Sequence, residues 1–180
     1  GTDTKRVSSR LAAARAKLLS VRAERVPPAT DTKVIVAWNG MMIDALARGG
    51  AQLDAPRFVE AAVAAAAFQL NTLRTGAADG TLHRIYAGGR VSVTAFLDDY
   101  AALADGLLSL YEATGDERWF REARNLVEEM LARYWDDELG GFFTTGAGNE
   151  RLVARNKPVY DGATPSGNSL AARAMARLYA

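Results

Sequence analysis

Two adjacent carboxylates, Asp98 and Asp99, open the apolar segment AFLDDYAALADGLLSLYEATG. A carboxyl group at a helix start is a candidate general acid or base, because protonating a leaving oxygen needs a carboxyl with a raised pKa. Adjacent helical positions diverge by about 100°, so at most one of the two faces a given cavity squarely. The same acids also complement the helix dipole, by a few tenths to about 1 kcal/mol. Tyr100 follows them, either as a ring to stack on a sugar or as a core aromatic. Trp38 and Asn39 set an aromatic beside an amide, a pairing that suits a sugar. The ring covers apolar C–H faces and the amide reads hydroxyls. Asn39 also breaks helix propensity inside an apolar segment, and a buried amide must find partners. His83 stands in a glycine-containing loop, with no motif around it that fixes an acid/base role; the plainer reading is an exposed loop histidine. Arg84 and Arg90 beside it read as solvated, or as partners for an anionic sugar. In DGATPSGNS, Thr164-Pro165 reads as N-cap then first helical residue. Ser166 and Asn168 then fall beside unpaired backbone N–H groups, where sugar hydroxyls or a small anion can be held. Asp161 is a turn residue or a further wall of the same site.

Composition removes other chemistries. The chain has no cysteine, so disulfides, thiolate zinc sites and a cysteine nucleophile are excluded within it. One histidine cannot build a multi-histidine metal site, and no cofactor motif is present. A net charge of +1 gives no overall field for nucleic acid or membrane. No long uncharged apolar run and no signal peptide are visible, which gives the expectation of a cytoplasmic protein.

The elements that must position these residues follow from periodicity. Val7, Leu11, Ala14, Leu18 and Val21 recur at steps of three and four, one apolar stripe on a helix whose other face is basic. That face reads as solvated, or as a surface for an acidic partner. KVIVAWNGMMIDALARGG predicts a helix buried on nearly all sides, capped by Thr32 and stopped by Gly49-Gly50. Asp54 reads as the N-cap of the next helix, with Pro56 in its first turn and Gly76 at its end. Leu82–Tyr86 and Val91–Val93 flank Gly88-Gly89 and predict a β-hairpin. DERWFREARNLVEEMLARYW predicts an amphipathic helix capped by Asp116, its stripe made by Trp119, Ala123, Leu126, Met130 and Tyr134. GGFFTTGAGNERLV reads as a second hairpin, before a last helix that follows DGATPSGNS.

A shift of 62 residues overlays two blocks. Trp38 falls on Tyr100, Leu46 on Leu108, Asp54 on Asp116 and Phe58 on Phe120. Each unit pairs an apolar helix with an amphipathic one and ends in a long polar loop. Alternating buried and half-buried helices give an all-α expectation: a partial α/α toroid of about six helices, one domain over residues 1–180, with one or two small β-hairpins in its loops. Two and a half hairpins cannot close a ring, so apolar edges and a homodimer are expected.

Three stretches, KVIVAWNGMMIDALARGG, FLDDYAALADGLLSLYEATGD and VYDGATPSGNS, together resemble the C-terminal region of the spermatogenesis-associated protein 20 family, also called the DUF255 or YyaL type. The resemblance implies a fragment of a longer protein in which a thioredoxin-like domain precedes an α/α toroid similar to six-hairpin glycosidases and N-acylglucosamine 2-epimerases. It implies a central funnel lined by the N-terminal ends of inner helices, with Asp98 or Asp99 as acid/base candidates. A sugar-like ligand would then meet Trp38, Asn39, His83, Tyr100, Asp161, Ser166 and Asn168. Half a funnel cannot surround a substrate, so the fragment alone is expected to be inactive. The other reading is a non-catalytic scaffold for the thioredoxin-like domain or a partner.

Overall fold

The computed structural model describes residues 3–74, 80–146, 149 and 153–180. The chain divides into two units, Gly1–Thr32 and Lys33–Ala180. The first carries α1 (Thr4–Ala23), capped by Asp3, whose side chain accepts from the Lys5 N–H. None of the residues of α1 is buried.

The second unit holds β1 (Val34–Ile35), α2 (Val36–Gln52), α3 (Pro56–Phe68), β2 (His83–Ala87), β3 (Arg90–Thr94), α4 (Leu97–Thr114), α5 (Glu117–Tyr134) and α6 (Gly167–Leu178). The structure is thus mostly helical with one small antiparallel sheet, in the order β1-β2-β3. Short connections at residues 53–55 and 115–116 make α2–α3 and α4–α5 antiparallel hairpins. α4 packs against α2, α5 and α6, and is buried without a break from Asp99 to Leu110. Among the described residues, no helix is long and apolar enough to cross a membrane.

Glycine explains how α2 and α4 come so close. A Cβ on Gly40 would stand 2.5 Å from the Ala102 carbonyl carbon, and one on Gly106 2.5 Å from the Gly40 oxygen. Helix packing at that separation is open only to residues without side chains. The helix-breaking Gly40 therefore has a packing role. α5 buries the stripe expected of it, from Trp119 to Tyr134, and Asp116 caps it through the Arg118 N–H at 2.9 Å.

Several boundaries differ from the sequence expectation. α2 starts at Val36, and Thr32 does not cap it, because Val34 and Ile35 join the sheet opposite Tyr86 and Ile85. α2 also runs through Gly49-Gly50 to Gln52. Gly50 serves the turn back: a Cβ there would meet Val59 at 2.6 Å. Asp54 lies at φ 49, and Ala55 precedes the helix instead of it. α3 loosens into a π-helical turn over Gln69–Leu73, and Gly76 lies outside the described residues. α4, not α2, is the helix buried on all sides; α2 shows Trp38 and Met42 to solvent. The proposed second hairpin shows only an isolated bridge, Trp135 with Phe142, and part of it lies outside the described residues. The last helix is capped by Ser166 rather than Thr164, through the Ser169 N–H.

Candidate functional site

The first turn of α4 gathers the polar chemistry. Phe96 precedes that helix in extended conformation, and Asp99 reaches back to accept its N–H at 2.9 Å. This is the carboxylate half of a capping box. The other oxygen of Asp99 accepts the Ala37 N–H at 2.9 Å, across to the first turn of α2. Ala37 lies 62 residues before Asp99, the spacing of the repeat. One carboxylate thereby fixes the starts of two neighbouring helices at the same level.

Arg84 completes the cluster from β2. Its Nη1 donates to Asp99 Oδ2 at 2.7 Å and to both oxygens of Asp98 at 3.0 and 3.1 Å. The guanidinium also lies 5.1 Å from the centre of the Phe96 ring. Burial opposes the Arg84 charge, but Asp99 and Asp98 outweigh it and hold the guanidinium protonated more firmly than usual. Burial lifts Asp99 from an ordinary 3.8 to about 6, and the charge of Asp98 adds to the lift. The N–H groups of Phe96 and Ala37, with Arg84, oppose that rise. Asp99 is therefore mainly ionised at neutral pH and gains its proton in mild acid.

The two carboxylates have separate places. Asp99 is 0% exposed and does not line the cleft that its neighbour lines. Asp98 is part-exposed and lines a cleft of about 270 Å³ with Arg84, Phe96, Thr144, Pro165 and Gly167. Gly167 allows α6 to approach: a Cβ there would meet Leu97 at 2.9 Å. The loop after α5 forms the outer wall, held by the Leu97 N–H to the Thr144 carbonyl at 3.0 Å. Thr144 and Pro158 also line an adjoining cleft with Thr145, Asn156 and Lys157.

The other sequence candidates divide. Trp38 is 62% exposed in the first turn of α2, next to the Ala37 that Asp99 binds. Asn39 donates its amide N–H to the Ile35 carbonyl at 2.9 Å, a local bond to the preceding turn. Tyr100 is buried; its hydroxyl oxygen accepts from the Leu82 N–H and its ring lies 5.5 Å from Tyr134, so it is not open to a ligand. His83 sits in strand β2 opposite Thr94, not in an exposed loop, and its buried Nδ1 has no hydrogen-bond partner. Asp161 accepts from the Ser166 N–H and the Ser169 hydroxyl, which hold its carboxyl below the usual range. Asn168 exchanges two hydrogen bonds with the Phe142 backbone and donates a third to Pro158. Asp161 and Asn168 thus spend their polar atoms on shaping the loop, as Ser166 does on capping α6, and none of the three lines the cleft.

Arg84 is the residue that sequence reasoning underrated. Period-two placement puts it in a strand, but nothing local signals that its strand crosses the start of α4. A second polar cluster lies further along α4. There Asp105 pairs with Arg173 at 2.9 Å and with Arg177, Ser109 with Asp44, and Arg177 with Glu112. Arg48 adds a third cation, 3.9 Å from Asp44, so each of the three carboxylates has an ionic partner. Among the described residues, no group of acids and histidine is placed to hold a metal ion.

Comparison with known proteins gives relatives over nearly the whole chain. Spermatogenesis-associated protein 20 of Homo sapiens is 34% identical over 190 residues, covering 99% of this chain and 24% of that protein. The Mus musculus protein of the same name is 35% identical over 188 residues, with the same coverage of each. An uncharacterized Caenorhabditis elegans protein is 28% identical over 170 residues, 90% of this chain and 23% of its own. The chain thus spans about a quarter of the length of the curated relatives it matches. No family model matches it.

Proposed function

We propose that this chain, homologous to a quarter-length stretch of spermatogenesis-associated protein 20, is an arc of an α/α toroid similar to six-hairpin glycosidases, and that its helix starts form one wall of a funnel for a sugar-like small molecule. The observation that carries the reading is the Asp98–Arg84 pair lining a cleft at the start of α4, with the exposed Trp38 one residue after the Ala37 that Asp99 binds. A sugar needs strong partners for its hydroxyls, which the charge-assisted pair supplies, and a flat face for its C–H groups, which Trp38 would supply where a ligand spans both. Asp98 is the group placed to touch such a ligand, Arg84 orients it, and Asp99 positions both. The rest of the funnel comes from other parts of a longer chain or from a second copy, so the isolated chain turns nothing over.

The test is a thermal-shift and calorimetric screen of the full-length protein with monosaccharides and disaccharides. A stabilising sugar whose effect is lost in Trp38→Ala and Asp98→Asn supports the reading. No shift with any sugar sinks it and leaves the scaffold reading. One observation favours that second reading: Asp161, Ser166 and Asn168 all spend their polar atoms on neighbouring backbone or hydroxyl groups.

A further inference from the structure

We infer that α1 is a docking helix for an acidic amphipathic protein helix. Val7, Leu11, Ala14, Leu18 and Val21 follow one another at steps of four, three, four and three. That is the seam spacing of a two-stranded coiled coil. Within its own unit the seam has no cover: Leu11 is 53% and Leu18 70% exposed, and no residue of the helix is buried. A lone helix of this length is marginal in water, so an unpaired apolar seam gains from a partner.

The charges decide which partner. Arg15 and Arg22 line one edge of the seam, Arg10 and Lys17 the other, and α1 contains no acid. A second copy in parallel would set Arg10 against Arg15 and Lys17 against Arg22. An antiparallel copy would again set base against base. Like charges at these edges disfavour self-pairing, and acidic edges complement them. The opposite face is mostly small, with Ser9, Ala12, Ala13, Ala16 and Ser20, and Leu19 is its single large apolar residue, too few for a second seam. Helices that lie on membranes carry Trp, Phe and Leu on a broad apolar face. This seam is narrow and has no aromatic residue, which favours a helix over a bilayer.

The probe is a synthetic three-heptad helix with Leu along its seam and Glu at every flanking position, titrated by fluorescence anisotropy against the whole 180-residue chain. The expected result is saturable binding that weakens about tenfold or more in Leu11→Asp or Leu18→Asp, and severalfold between low and high salt. The same probe with Lys at its flanks binds at least about tenfold more weakly. Reversing Arg10, Arg15, Lys17 and Arg22 to Glu swaps the preference, a readout that mere loss of helix cannot mimic. The inference is overturned by any of four results. These are no binding of the Glu probe at about 100 μM, equal binding of the two probes, binding indifferent to Leu11 and Leu18, or tighter binding to phosphatidylserine vesicles than to the Glu probe.

Discussion

Replacing Asp99 by asparagine sets two forces against each other. Burial favours a neutral side chain at this position, while three donors favour a carboxylate: the N–H groups of Ala37 and Phe96, and the guanidinium of Arg84. With the carboxyl lifted from 3.8 to about 6, burial wins. The native state then binds a proton that the unfolded chain has already released between those values. Stability from this group is therefore greatest in acid and falls as pH rises through about 6. At about 1.36 kcal/mol for each pH unit, the full difference is about 3 kcal/mol. Asparagine cannot titrate, so subtraction isolates the term from every other carboxylate. Urea midpoints of the wild type and Asp99→Asn should be measured from pH 4 to pH 7.5. The stability of the wild type minus that of the variant should fall by about 2 kcal/mol over this range, most steeply at about pH 5, midway between the two values, and level off above about pH 6.5. A flat difference would mean that burial and donors cancel. A rising one would mean that the donors hold Asp99 below its ordinary value, which would overturn the reading that burial raises it.

Four further outcomes test the packing around the site. Gly40→Ala should cost at least about 2 kcal/mol, because the added carbon meets the α4 backbone, whereas Gly49→Ala, with open space around it, should stabilise the same helix by about 0.5–1 kcal/mol; thermal melts compare them. Ser166→Ala should cost about 0.5–2 kcal/mol and Thr164→Ala under about 0.5, since only the serine caps α6; equal losses in denaturant unfolding would return the cap to Thr164. Asn168→Ala should cost about 1–3 kcal/mol by freeing both backbone groups of Phe142, and amide exchange at Phe142 should quicken. Gln69→Met should raise stability by about 1 kcal/mol or more, because both polar atoms of that buried amide lack partners; a loss instead would reveal a bound water there.

Much of this architecture is legible in the sequence because its signals are local or periodic. The stripe of α5, the Asp116 cap, the hairpin around Gly88-Gly89 and the 62-residue repeat all rest on spacings that the fold keeps. The misread boundaries share a cause. Thr32, Asp54 and Thr164 are good caps by type, yet the helix start was set elsewhere by tertiary demand. The sheet recruits Val34-Ile35, the tight return bends the chain at Asp54, and Asp161 captures the Ser166 N–H. Gly49-Gly50 misleads in the same way, since a glycine needed for close packing looks like a glycine that ends a helix.

The site shows where sequence reasoning reaches its limit. Asp98 and Asp99 are neighbours with the same side chain, and the sequence gives each the same claim on a cavity. Their difference comes from Arg84, fourteen and fifteen residues away on a strand, and from Ala37 on another helix. Those contacts bury one carboxylate and leave the other lining the cleft. Trp38 and its repeat mate Tyr100 part in the same manner. Tyr100 sits on α4, which has helices on several sides, and is buried among them. Trp38 sits at the same turn of α2, which lacks such cover on that face, and stays exposed. Equal positions in a repeat thus acquire unequal roles from their neighbours. Trp38 is thereby an aromatic at an uncovered edge, one residue from the Ala37 that the clamped carboxylate Asp99 binds. A Trp38→Tyr variant keeps a ring with a polar edge, whereas Trp38→Ala removes the ring. Sugar binding by the full-length protein should therefore survive the first within about tenfold and be lost in the second, and equal loss in both would assign Trp38 to packing against a neighbouring helix instead.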